Sequence, residues 1–139
     1  MYDGFDIKEF TQFEKKLIDL ATTKMPKESK KFMRDEGTKL KKRTLAKAKQ
    51  KVKKDTGNYY KSIKRGKVYK YEGDLSVRAY SGNPVAHLIE NGHRIVDKNG
   101  VEHGFKEGEH VFSDAEKEFE QQYYSDVQKF IDDMLDKGL

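Results

Sequence analysis

In the stretch Lys67-Val68-Tyr69-Lys70-Tyr71-Glu72-Gly73-Asp74-Leu75-Ser76-Val77-Arg78-Ala79-Tyr80, the apolar period changes from helical to alternating. Leu75, Val77 and Ala79 alternate with Ser76, Arg78 and Tyr80, as in a strand with one buried and one wet face. Gly73-Asp74, with glycine first, predicts a two-residue turn between strands at 67–72 and 75–80. A second hairpin is predicted from Arg94–Asp97 and Val101–Phe105 around Lys98-Asn99-Gly100, because Asn-Gly suits a type I′ turn. Between the hairpins, Asn83 and Pro84 open a short helix near 83–91, with Val85, Leu88 and Ile89 inward and Gly92 at its exit. His110-Val111-Phe112 reads as a last strand or an extended lead-in.

Helices flank this region. Asp6 and Glu9 stand at capping-box spacing, Phe5 and Phe10 at staple spacing, and Phe10, Phe13, Leu17, Leu20 and Ala21 form a stripe. The first helix is therefore predicted over 6–24, ending before Pro26. A second helix should start at Pro26 and reach about Lys54. Its stripe of Phe32, Met33, Leu40, Leu45, Ala48 and Val52 is thin, which places it at the edge of the fold. The turn cluster Asp55-Thr56-Gly57-Asn58 ends it. Ser113 and Glu116 form another capping box, opening a final helix over 113–137 with Phe119, Tyr123, Val127, Phe130, Ile131 and Met134 on one face. The expected class is α+β: two N-terminal helices, a small antiparallel sheet of two hairpins with a short inserted helix, and a C-terminal helix packed on the sheet. The chain reads as one domain over 1–139: helical and basic over 1–54, sheet over 55–112, acidic helix over 113–137.

Composition narrows the function classes. Leu, Ile, Val and Phe make up 30 of 139 residues, and 38% of residues are charged, so the core must be thin and a partner would add stability. No cysteine is present, which excludes disulfide scaffolds, thiolate zinc sites and cysteine nucleophiles. No apolar run approaches the ~18 residues that a membrane span requires, and the acidic start lacks a signal peptide's basic and apolar regions. The expectation is a protein that does not enter a membrane and stays where it is made.

The net charge of +5 is unevenly spread. Residues 1–66 hold 20 Lys+Arg against 9 Asp+Glu, and residues 67–139 hold 9 against 15. From Lys39 to Lys54 nine Lys or Arg occur without an acid, among them Lys39, Lys41, Lys42, Arg43, Lys47, Lys49 and Lys51. Such a run suits nucleic acid, an acidic protein surface or a solvated helix face. Tyr59, Tyr69 and Tyr71 interleave with lysines and arginines, a pattern shared by sheet packing, protein interfaces and base-stacking surfaces. His87, His93, His103 and His110 lack the i, i+4 spacing of a helical zinc site, so no metal or cofactor is expected. His87, Glu90, His93 and Arg94 are the residues from which a small nuclease or toxin-like enzyme would draw its acid–base group.

The segment Thr56-Gly57-Asn58-Tyr59-Tyr60-Lys61-Ser62-Ile63 and the later Pro84-Val85-Ala86-His87-Leu88-Ile89-Glu90-Asn91-Gly92 follow a lysine-rich helix and a hairpin respectively. In this combination the chain resembles, over roughly residues 30–135, the small tail-component proteins of tailed bacteriophages and prophages, also called head–tail joining or tail-completion proteins. Tyr59 stands where that family usually has an aliphatic residue, and Val85 where it commonly has tyrosine. The resemblance implies a non-enzymatic structural protein of the virion tail or neck, present in the host cytoplasm during assembly. It implies other head-connector and tail proteins as partners, and self-association into a ring, commonly of six. Thr56, Gly57, Asn58, Glu90 and Gly92 are read as structural. The basic second helix and the acidic last helix (Asp114, Glu116, Glu118, Glu120, Asp126) are expected to face neighbouring subunits as complementary surfaces. The rival reading is a nucleic-acid-binding module that tracks phosphates with residues 39–54.

Overall fold

The computed structural model describes residues 10–53 and 57–139, an α+β arrangement of five helices and three two-stranded antiparallel ladders among those residues. Helix α1 spans Gln12–Lys24. The pair Asp6/Glu9 and the partner Phe5 lie outside the described residues. Phe10 sits in a bend, and the cap is made at Thr11, whose hydroxyl accepts from the Glu14 amide while Glu14 accepts from the Thr11 amide. Thr11 and Glu14 have the same spacing as Asp6 and Glu9, and Thr-x-x-Glu is the stronger form of the motif. Ala21, Leu17 and Ile18 face the core, and Phe13 and Leu20 are exposed.

Helix α2 spans Pro26–Lys51 and α5 spans Val111–Asp136, and they pack along each other as the centre of the molecule. This corrects the edge position expected for α2. Its thin stripe allows close packing, with Ser29, Gly37, Thr44 and Ala48 all buried. A Cβ on Gly37 would lie 2.6 Å from Val77 Cγ2, so the glycine that weakens the helix locally is what admits the strand. Phe119, Leu40, Val111, Val77 and Ile63 sit in one buried cluster joining α2, α5 and the strands.

After Gly57, in the left-handed region at φ 82°, helix α3 takes Asn58–Ser62. Strands β1 (Ile63–Arg65), β2 (Tyr69–Tyr71), β3 (Asp74–Ser76) and β4 (Ala79–Ser81) then form one bent hairpin, β1 pairing with β4 and β2 with β3. Three residues, 66–68, face two, 77–78, between the ladders, and the Gly66 amide still donates to the Arg78 carbonyl at 2.8 Å. This extra residue bends the strand expected to run unbroken over 75–80 and buries both Ser76 and Val77. The turn centre is Glu72-Gly73 rather than Gly73-Asp74: both have positive φ, 50° and 89°, as a type I′ turn requires.

Helix α4 is short, Ala86–Asn91, and Asn83 Oδ1 accepts from the Val85 amide just before it. Val85, expected inward, is exposed, and Leu88 and Ile89 are half-buried. Strands β5 (Gly92–Val96) and β6 (Glu102–Glu107) form the second hairpin. Residues 110–112 are not a strand. His110 turns at φ 50°, and Val111 and Phe112 are already helical, the Phe112 amide donating to the Glu90 carboxylate.

Candidate interaction surface

The basic helix and the acidic helix meet within one chain. Lys39 Nζ donates to Asp126 Oδ2 at 2.9 Å, Arg43 Nη2 to Gln122 Oε1 at 3.0 Å and Lys47 Nζ to Glu118 Oε1 at 2.7 Å, and Lys51 is bound to Asp114. Each step forward of four on α2 is a step back of four on α5, the register of two antiparallel helices turning one face to each other. Arg43 also lies over the Phe119 ring, 5.8 Å from its centroid. Four of the seven basic residues that the sequence offers to a neighbour are therefore engaged at home. Lys42 and Lys49 are exposed and Lys41 is half-buried.

Inside this ladder sits Glu36, 1% exposed, with one carboxyl oxygen lacking a partner. Burial, reinforced by the neighbouring Asp126 carboxylate, pushes its pKa up to about 8, against the opposing pull of Lys39. Burial would also raise Asp126, yet hydrogen bonds from Glu36 and Lys39 hold it below the usual carboxylate range. Glu36 is thus a neutral acid at neutral pH, handing a proton toward an ionised one. Composition gave no sign of it, since Glu36 precedes the basic run.

Of the tyrosines, Tyr71 is exposed and Tyr69 half-buried on the bent hairpin. Tyr59 is half-buried with its hydroxyl enclosed and unbonded, and burial, then the Glu90 charge, pushes it up to about 12. Thr56 lies outside the described residues. Asn58 is the first residue of α3 and is exposed. Glu90 serves as a cap from a distance: its two oxygens accept from the amides of Phe112 and Ser113 at 2.9 and 3.0 Å, the first turn of α5. It replaces the local Ser113/Glu116 box that the spacing suggested. At Gly92, φ 85°, a Cβ would meet the Lys106 carbonyl at 2.3 Å, so only glycine lets β5 leave α4 here.

The histidines separate. His87 lines a cavity of about 460 Å³ between α4 and α5, together with Glu90, Asn91 and Glu116. His93 Nδ1 contacts the Arg94 carbonyl, and His103 Nε2 lies 2.8 Å from Asp97 Oδ2. Among the described residues no group of three His, Asp or Glu could hold a metal ion. Nor is any helix there long and apolar enough to cross a membrane.

The β5–β6 hairpin is the other unusual surface. Ile95, Val96, Val101 and Phe105 are 44–55% exposed, and all six residues of β6 are exposed. Sequence pattern located the hairpin but not its turn. Of Asn99-Gly100 only Gly100 has positive φ, 80°, and its amide donates to the Asp97 carbonyl at 3.1 Å, so the turn centres on Lys98-Asn99 and is not the expected type I′ pair. Nor could the pattern show that no described residue covers these side chains.

A family model described as "Bacteriophage HK97-gp10, putative tail-component" matches residues 12–92. That range begins at the first residue of α1 and ends at the first of β5, so most of the hairpin and all of α5 lie beyond it. No curated protein and no solved structure matches significantly.

Proposed function

The chain belongs to the HK97-gp10-like phage tail-component family, and on that premise we propose that it is a structural virion-assembly protein acting where tail meets head. In this reading it completes the tail or joins it to the head connector, works without catalysis, and does so as a ring of identical subunits located at the tail or neck. The observation that carries the reading beyond the family is the uncovered hairpin. Four large apolar side chains stand in water on an element that a thin-cored chain can ill spare, and surfaces of that kind mark protein–protein contact.

The internal ladder redirects the charge argument. Lys39, Lys47 and Lys51 pair with acids of α5 in their own chain and Arg43 bonds its Gln122, so docking rests on apolar contact more than on opposed charged faces. The same pairing weakens the nucleic-acid reading, since a phosphate-tracking helix needs those cations free. Deleting the gene from the phage genome tests the proposal. Full heads and finished tails that fail to join are expected, with joining restored by the purified protein. Normal virions from the deletion, or assembly arrested before any tail or head forms, would refute it.

A further inference from the structure

We propose that the outer face of the bent hairpin, β1 to β4, is a contact surface for the phosphodiester backbone of nucleic acid. The proposal adds a partner to the reading above and does not depend on ring formation. It starts from where this chain engages its cations and where it leaves them in water. On α2, Lys39, Arg43, Lys47 and Lys51 are each bonded to α5. Residues 57–81 carry six Lys and Arg against two acids, and among the described residues no ion pair involves Lys61, Lys64, Arg65, Lys67 or Lys70. Neither acid balances this face. Glu72 sits in the turn at the tip, and Asp74 lines a small cleft with Ile18 and Thr22 of α1.

The pleat sets the outer cations apart from the core. Ile63 and Ala79 are buried on the side that packs on α2. Lys64 and Tyr80, directly opposite each other in the β1–β4 register, therefore project from the other side. Arg78, two residues before Tyr80, holds its guanidinium carbon 5.4 Å from the Tyr80 ring centroid. Lys61 just before the hairpin, and Lys67 and Lys70 along it, are exposed, as is Tyr71 beside Lys70. Lysines interleaved with open aromatic rings suit a polynucleotide: ammonium groups meet phosphate oxygens and release counterions, and rings offer a face to unpaired bases. A protein surface is the poorer match, because lysine is depleted where proteins bury one another. Contacts of this kind position a strand without reading its sequence.

Fluorescence anisotropy of the purified chain with short labelled DNA, single-stranded and as a duplex, tests this across a salt series. Binding should weaken as salt rises, and Lys64→Glu with Lys67→Glu should reduce the slope of log affinity against log salt by about 2 on a duplex. Lys42→Glu with Lys49→Glu makes the same charge change on exposed lysines of α2 and should leave the slope as it was. All four lysines are exposed, so melting of both proteins should stay unchanged. If the reversal unfolds the chain, Lys64→Gln with Lys67→Gln makes the same comparison. Tighter binding of the single strand, lost with Tyr71→Ala, assigns the backbone to unpaired DNA, and tighter binding of the duplex, untouched by Tyr71→Ala, assigns it to the double helix; either supports the proposal. No binding at low salt, equal weakening by the two lysine pairs, or displacement of the DNA by polyglutamate at matched charge would overturn it. Such a failure leaves the assembly reading standing, since the gene deletion decides that.

Discussion

The α2–α5 seam and the β5–β6 hairpin are built from one composition and use it in opposite ways. In the seam few large side chains are available, so small residues bring the helices close and Lys39, Arg43, Lys47 and Lys51 each find an acceptor on the facing helix. In the hairpin the large apolar residues are present and none of the described residues covers them. A single exposed valine is ordinary. Four exposed apolar residues on one two-stranded element, which alone in water is marginal at best, are a surface left for contact. On the proposed reading, stability of the subunit resides in the seam and association in the hairpin, and the two should respond separately to mutation.

The largest effect expected is a contrast between two phenylalanines. Phe119 is fully buried between α2 and α5, and Phe119→Ala should cost about 3–5 kcal/mol through lost burial and the cavity left behind. Phe105 is 55% exposed, and Phe105→Ala should cost less than about 1 kcal/mol. Urea unfolding of both variants measures the difference. Comparable losses would mean that the hairpin belongs to the folding core after all.

Next comes Glu36. Folded, its pKa of about 8 stands above the ordinary 4.5, so between those values the folded state holds a proton that the unfolded state has released. Stability from this group is full below pH 4.5, falls as pH rises through the window, and levels off above about 8. Glu36→Gln removes the penalty. It should stabilise the protein by on the order of 4 kcal/mol at pH 8 and by almost nothing near pH 4.5. Melting curves of both proteins across that range decide it, and a pH-independent difference would show that Glu36 is ionised in the fold.

Glu90 should give an effect of about 1–2 kcal/mol on removal, because Glu90→Ala strips two amides of α5 of their acceptor and takes a carboxylate from a helix N-terminus. Chemical denaturation of the variant, with Ser113→Ala as the comparison, measures it; a larger loss from Ser113→Ala would restore the local box. The pair also marks the limit of what sequence could tell. Gly92, Pro26 and the α5 stripe were legible because each acts through its own backbone or a period along one helix, whereas Asn99-Gly100 marked the hairpin but not its turn type, since only Gly100 takes positive φ. Glu90 capping a helix more than twenty residues away was not, since nothing local distinguishes it from a surface glutamate. The Glu72-Gly73 turn was misread because Glu rarely takes φ 50°, and only the cross-strand register required it. The ladder had a visible signal, cations at 39, 43, 47 and 51 facing acceptors at 114, 118, 122 and 126. Reading it as two outward faces instead of one inward seam was the consequence of placing α2 at the edge.

The smallest effect tests that seam. Lys47 and Glu118 are 2.7 Å apart, with the glutamate almost half exposed, so solvent screens much of their attraction. A double-mutant cycle of Lys47→Ala and Glu118→Ala should give a coupling of about 0.2–1 kcal/mol, fading toward zero in molar salt. The coupling should appear in unfolding of the dilute protein and be absent from self-association measured by light scattering. That division follows from the pairing itself: a bond made within one chain contributes equally to the free and the assembled subunit and drops out of the difference between them. Coupling found in association instead would mean that Lys47 exchanges Glu118 for an acid of the neighbour on assembly, making the ladder the interface that the charge asymmetry first suggested.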